Sequence, residues 1–330
     1  MNPASFRGWT PIRIYPGADG LMVDWCHLGE QRFVEPFFDQ SVSGALRNPA
    51  QRLFRRQTPI AFLADFAREC PGLPPSALIY HLSRSGSTLV TQMLAQIPHN
   101  LVVSDAPPLD RVINAQLHDH AVTDEQRILW LRGLVSALGQ PRHGETRFFL
   151  KLDSWHILQL PLIQRAFPTV PWIFLYRDPL DVLLSHHQVR GTQVLPGVLP
   201  AGLFDLDPPW APPATFDDYA ARVIAQLAQA AIRHTTAGRG RFVHYTELPG
   251  AVEELCNFFF DTRLVPTEVA AMQQALPFHA KHPHLPFVDA TAARRAAAGP
   301  ELLALAQTWL AEPYVRLEAI RLSQPPLHRT

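Results

Sequence analysis

The stretch SALIYHLSRSGSTLVTQMLAQIPHNLVVS, residues 76–104, decides the fold. Its opening, ALIYHL, is an apolar run of strand length; GSTLVTQMLAQI has helical spacing, and NLVVS is a second short apolar run. Strand, helix and strand in succession predict a parallel sheet, because parallel neighbours need a crossover between them. The junction HLSRSGSTL is built of small residues and opens the helix. At such a junction backbone N–H groups and the helix dipole converge on an anion. Within the span Tyr80 to Thr91, the cradle is expected from Ser85, Gly86, Ser87 and Thr88.

Outward from this unit the pattern repeats. Two helices are expected from Leu109 to His118 and from Asp124 to Leu138, then two buried strands, TRFFLKL and VPWIFLY, on either side of His156 to Phe167. A helix DPLDVLLSHHQ follows, then a proline-stiffened loop from Leu195 to Pro213 and a long helix from Phe216 to about Thr236. A strand RFVHY, a helix from Leu248 to Phe260 and a helical pair between Pro300 and Leu322 complete the chain. About five strands alternating with helices predict a three-layer α/β/α domain with a central, mainly parallel sheet, P-loop NTPase-like in outline. This domain is assigned residues 71–330. Residues 1–70, rich in aromatics such as Trp9, Trp25 and Phe37 and carrying an expected helix from Pro59 to Glu69, read as an accessory region packed on it.

The bulk numbers narrow the function. With 330 residues, 47% hydrophobic and 18% charged, the chain has apolar surface for one large α/β core or two unequal domains. Lys and Arg total 29, as do Asp and Glu, so no global field draws nucleic acid or an anionic membrane, and an anion site has to be local. Cys26, Cys70 and Cys256 form no CxxC pair and leave one cysteine over in any pairing. With no signal-like start and no apolar run of membrane length, these features predict a cytoplasmic protein without a membrane span. No metal-ligand motif occurs, so no metal is expected. The clusters His186–His187 and His279, His282 and His284 read as structural. No G-x-S-x-G elbow is present either, against a serine hydrolase.

A nucleotide triphosphatase loop reads G-x-x-x-x-G-K-[ST], but His81 stands at its first glycine and Ser87 at its lysine. The cation is instead Arg84, two residues before Gly86. RSGST in this position resembles the 5′-phosphosulfate loop of PAPS-dependent sulfotransferases of the bacterial and carbohydrate type. LYRDPLDVLLSHH resembles the same family's 3′-phosphate motif, an arginine and a serine eight residues apart, here Arg177 and Ser185. A guanidinium gives a bidentate phosphate contact, and a hydroxyl two helical turns on can reach the same group. VHYTELP is similar to the family's Tyr-x-[DE]-Leu element, which places Tyr245 near the adenine. The resemblance is read from about Ser76 to Leu322.

The resemblance implies PAPS as co-substrate, PAP as product, and a small-molecule, glycan or peptide acceptor. It also implies roles. Arg84 and the loop amides stabilise the leaving phosphate. Asp105, in SDAPPL where the family commonly has a glutamate, is the expected base, and Lys151 at a strand end contacts the sulfonate or the acceptor. From their position on the same loop, and not from the resemblance, Asp153 and His156 are alternatives for orienting Lys151 or accepting the proton. Lys281, Arg294 and Arg295 are weaker candidates for closing over the nucleotide. The competing readings are a P-loop kinase-like enzyme without the usual lysine and a non-catalytic nucleotide-binding protein.

Overall fold

The computed structural model describes residues 1–200, 202–206, 213–235, 239–286 and 290–327, with the backbone alone at 279 and 282–284. Its centre is a five-stranded sheet made of β4 (Pro75–His81), β5 (Asn100–Ser104), β6 (Arg147–Lys151), β7 (Trp172–Tyr176) and β8 (Gly240–His244), in the order β5-β6-β4-β7-β8. Every neighbouring pair is parallel. The sheet is buried on both faces, which is why its strands read as continuous apolar runs. Alternate side chains feed two cores. Leu78 and Tyr80, Phe148 and Leu150, and Trp172, Phe174 and Tyr176 belong to one core; Ala77 and Ile79, Phe149, and Ile173 and Leu175 belong to the other.

The helix Ser87–Ala95 lies against the second core, with Val90, Met93 and Leu94 inward. Helices Asp124–Leu138, Leu160–Ala166, Pro179–Gln188 and Phe216–Arg233 cover the first. The result is the three-layer α/β/α arrangement. The chain leaves β4 for β5 on one side of the sheet and returns through β6 to β7 on the other, so its direction reverses at β4. A crevice outside the carboxyl ends of the strands at such a reversal is where ligands bind in doubly wound sheets.

Residues 1–70 contain a sheet that the sequence reading did not anticipate: β1 (Trp9–Gly17), β2 (Gly20–His27) and β3 (Arg56–Pro59), antiparallel in that order. A hairpin signal was present in GADG, residues 17–20, at the β1–β2 turn. The helix expected from Pro59 starts at Phe62, because Thr58 pairs with Val23 and Pro59 with Met22 in the sheet. This sheet shares one apolar core with the larger one. Trp25 is fully buried, meets Phe6 and Phe66 edge-on, and donates its indole N–H to Thr58 Oγ1 at 2.9 Å.

Other boundaries move by a turn. The helix expected at Leu109–His118 is Pro107–Ile113 followed by a 3-10 turn, Ala115–Leu117, and the helix expected at Leu248–Phe260 is Ala251–Glu254 running into a π-turn, Leu255–Phe259. Of the expected loop Leu195–Pro213, residues 201 and 207–212 lie outside the described residues; the rest is without helix or strand. The three cysteines are free and buried, and among the described residues no helix is long and apolar enough to cross a membrane. Trp25→Ala, which removes the centre of the N-terminal aromatic cluster, is expected to cost about 3–5 kcal/mol in urea unfolding.

Candidate functional site

Each strand of the large sheet delivers a polar residue at or just beyond its carboxyl end: His81 on β4, Asp105 after β5, Lys151 on β6, Arg177 after β7 and Tyr245 after β8. All five line one cavity of about 710 Å³, together with Arg84, Gly86, Ser87, Thr88 and Ser185. The size suits a small-molecule site.

The loop after β4 makes the sharpest turn. Gly86 has φ +84° and caps the helix Ser87–Ala95; Arg84 also has positive φ, at 64°. A side chain on Gly86 would meet Leu248 Cδ1 at 2.7 Å and Tyr245 Cδ2 at 3.0 Å, so glycine is required by conformation and by the close approach of the Tyr245 loop. The first N–H groups of a helix have no partner within it. Here they open where the buried Ser87 and Thr88 side chains line the cavity. The Ser85 hydroxyl turns to the sheet. It is buried and donates to the carbonyls of Leu82 and Leu175, so it ties the loop to the sheet and the side chain does not line the cavity.

Arg177 is held on three sides. Its Nε donates to Asp181 at 3.0 Å, its Nη2 donates to Thr291 Oγ1, and its guanidinium lies over the Tyr245 ring, 4.3 Å from the centroid. Asp181 and Asp178 are bridged in turn by Arg295. Arg295 therefore supports Arg177 from behind rather than entering the cavity, a correction to its expected placement, whereas Lys281 and Arg294 do line it. Ser185 joins Arg177 two turns along the helix Pro179–Gln188.

At the other end Lys151, buried at the end of β6, forms an ion pair with Asp105. Asp105 has φ 53°, a second strained non-glycine residue at the site besides Arg84. Burial pushes its carboxyl up, but Lys151 and the neighbouring His81 outweigh this and hold it below the usual carboxylate range. Asp105 Oδ1 and both ring nitrogens of His81 are buried without a hydrogen-bond partner among the described residues, and His81 Nε2 lies 4.0 Å from Asp105 Oδ1. Orphaned polar atoms facing a cavity are what a polar ligand group would satisfy.

Asp153 also lines the cavity. Burial, then the charge of Asp105, push its carboxyl up to about 7. His156 is outside the cavity lining: its Nδ1 accepts the Asp153 N–H and its Nε2 meets Asp110 at 3.0 Å, so it fixes the loop that carries Asp153. His187 pairs with Asp217, and the side chains of His279, His282 and His284 lie outside the described residues.

Five cations, Arg84, Lys151, Arg177, Lys281 and Arg294, thus face one space in a chain with no net charge. Burial, then Arg84 and Lys151, bring the Lys281 ammonium down to about 8. That crowding is relieved by an anion. Sequence reading passed over Ser83, Phe37 and Trp155, all in the lining. Ser83 stood in plain view inside SRSGS, while Phe37 arrives through tertiary packing and carries no local signal.

A family model provides the independent comparison. Residues 75–194 match the sulfotransferase family. The match runs from β4 to the turn after the helix Pro179–Gln188, so the matched segment contains Arg84, Asp105, Lys151, Arg177 and Ser185, while Tyr245 lies beyond it. Among solved structures the chain is similar to the sulfotransferase STF9 from Mycobacterium avium, at 16% identity and TM-score 0.46 over 76% of this chain and 80% of that one. It is also similar to a sulfotransferase from Alicyclobacillus acidocaldarius, at 13% identity and TM-score 0.44 over 76% and 97%. At these values the structural likenesses carry no functional weight. No curated protein matches.

Gly86→Ala tests the tightest part of the loop after β4. It is expected to cost about 1–3 kcal/mol in urea unfolding and to weaken calorimetric binding of PAP, the ligand that the resemblance implies, at least tenfold.

Proposed function

We propose that the protein transfers the sulfuryl group of PAPS to a hydroxyl or amine of a small-molecule, glycan or peptide acceptor. The observation that carries this reading is the pair of anion sites in one cavity: the Gly86–Thr88 helix start with Arg84, and Arg177 with Ser185 about two helical turns further along its own helix. The family match spans both sites.

In this reading the loop amides and Arg84 take the 5′-phosphate and stabilise its charge as it leaves. Arg177 and Ser185 take the 3′-phosphate, and Tyr245 packs beside the adenine. The acceptor oxygen or nitrogen forms a bond to sulfur while the bond from sulfur to the bridging phosphate oxygen breaks, and the acceptor proton passes to a carboxylate. Lys151 neutralises charge on the sulfonate oxygens. The spread of negative charge in a water-poor pocket makes such cations effective. A kinase-like reading fares worse, since Ser87 stands where the phosphate-binding lysine would be.

Calorimetry with PAP against ATP tests the proposal. PAP is expected to bind in the micromolar range, with a loss of at least tenfold in Arg177→Ala. Binding of ATP without binding of PAP would sink it.

Two carboxylates compete for the proton. Asp105 follows the strand end next to the loop after β4, which favours it for the role, yet its partner Lys151 lowers its affinity for a proton. Asp153 is the better match, because a general base works best when its pKa lies near the working pH. A base has to be ionised before it can act. With Asp153 as base, PAP release from PAPS therefore rises with pH and is half-maximal near pH 7; with Asp105 it is flat from about pH 5 to 8. Asp153→Asn is expected to lower the rate about 10²–10⁴-fold and to abolish the inflection. A flat wild-type profile would return the role to Asp105.

A further inference from the structure

His186 is fully buried on the helix Pro179–Gln188, one residue beyond Ser185, and the assignments above leave it without a role. Its Nδ1 accepts the backbone N–H of Gly191 at 3.1 Å, and its Nε2 lies in hydrogen-bond contact with Ser83 Oγ. An imidazole nitrogen that accepts carries no proton. Burial, then Arg84 and Lys281, keep the ring neutral by pushing it down to about 3, so its single proton sits on Nε2 and is donated to Ser83. Ser83 Oγ is thereby an acceptor toward the protein, and among the described residues it has no other hydrogen-bond partner. Its own proton is left to point into the cavity that Ser83 lines. The polarity is the reverse of a serine nucleophile and its base, in which the imidazole nitrogen accepts from the hydroxyl.

The same segment grips the next residue, since Val189 O accepts a hydrogen bond from Arg84 Nη2 at 2.7 Å. Gly191 passes so close that a Cβ there would lie 3.0 Å from His186 Cε1. Residues 186–191 therefore set the direction of two consecutive donors, Ser83 and Arg84. Ser83 lies on the chain between His81, beside Asp105, and the N–H groups at Gly86–Thr88.

We propose that Ser83 is a hydrogen-bond donor to the transferring sulfonate and that His186 is the positioning residue that fixes it in the donor sense. The inference rests on the sulfotransferase reading and deepens it, because it separates the groups that hold the nucleotide from one that holds the group in flight. A fixed donor aimed at oxygen atoms that gain charge in the transition state is worth about 10²–10³ in rate where such donors have been removed.

The experiment uses the full chain and two readouts, the affinity for PAP by calorimetry and the rate of PAP release from PAPS. Ser83→Ala and His186→Phe are each expected to lower the rate about 10²–10³-fold while PAP affinity stays within about twofold. His186→Gln, which retains a donor near the Nε2 position, is expected to recover most of the rate. The double variant Ser83→Ala/His186→Phe is expected to be no slower than either single one, since both remove one interaction. Parallel losses of PAP affinity and rate would overturn the proposal by placing Ser83 on the phosphate, as would additive losses in the double variant or unchanged rates in both single variants. Ser83→Ala keeps the test decisive if His186→Phe does not fold. Failure of the wild type to bind PAP would overturn the sulfotransferase reading itself, an outcome distinct from wild-type binding with indifferent variants.

Discussion

The passage from β4 to the helix that follows it constrains everything around it. The chain leaves the middle of a sheet buried on both faces and enters a buried helix within the five residues Leu82–Gly86. Positive φ at Arg84 and Gly86 makes so short a turn feasible, the inward hydroxyl of Ser85 ties it to the ends of β4 and β7, and the Tyr245–Leu248 loop leaves no space over Gly86. Once this turn is set, the helix N–H groups face outward at the point where the strand order reverses. The neighbouring strand ends then have one place to send their polar residues.

Charge follows from that geometry. A protein with equal numbers of acidic and basic groups gathers five cations at one sheet edge and balances them there with Asp105 and Asp153. The two carboxylates are made unlike by their surroundings. Asp105 has an ammonium beside it and stays ionised, whereas Asp153 meets burial and the charge of Asp105 itself. Similar residues at the ends of two neighbouring strands are in this way given different proton affinities.

The sheet and its loops were legible because their signals are local. ALIYHL, NLVVS, TRFFLKL, VPWIFLY and RFVHY are unbroken apolar runs, and RSGST carries its turn chemistry in five residues. The N-terminal sheet was missed because its strands alternate poorly. β1 contains two prolines, and β3 is four residues long and reached after an excursion of 28 residues from His27 to Arg56. The directions of the Ser85 hydroxyl and the Arg295 guanidinium were not legible for a related reason: composition can mark a residue as small or basic, but the direction of a side chain depends on partners far off in sequence. His186 illustrates the same limit, since its contact with Ser83 spans 103 residues.

Phe37 gives the N-terminal region a meaning beyond support. Its ring stands 5.4 Å from Lys151 Nζ and 5.8 Å from Lys281 Nζ, so a residue from the first 70 forms part of the wall beside the cations. Lys151 ends a strand of the central sheet and Lys281 belongs to the chain's last quarter, and the same aromatic ring stands beside both. The cavity therefore has no finished shape until the two ends of the chain have met at its middle. A shorter chain that kept every residue of the loops after β4 and β7 would hold the charges without this part of the wall.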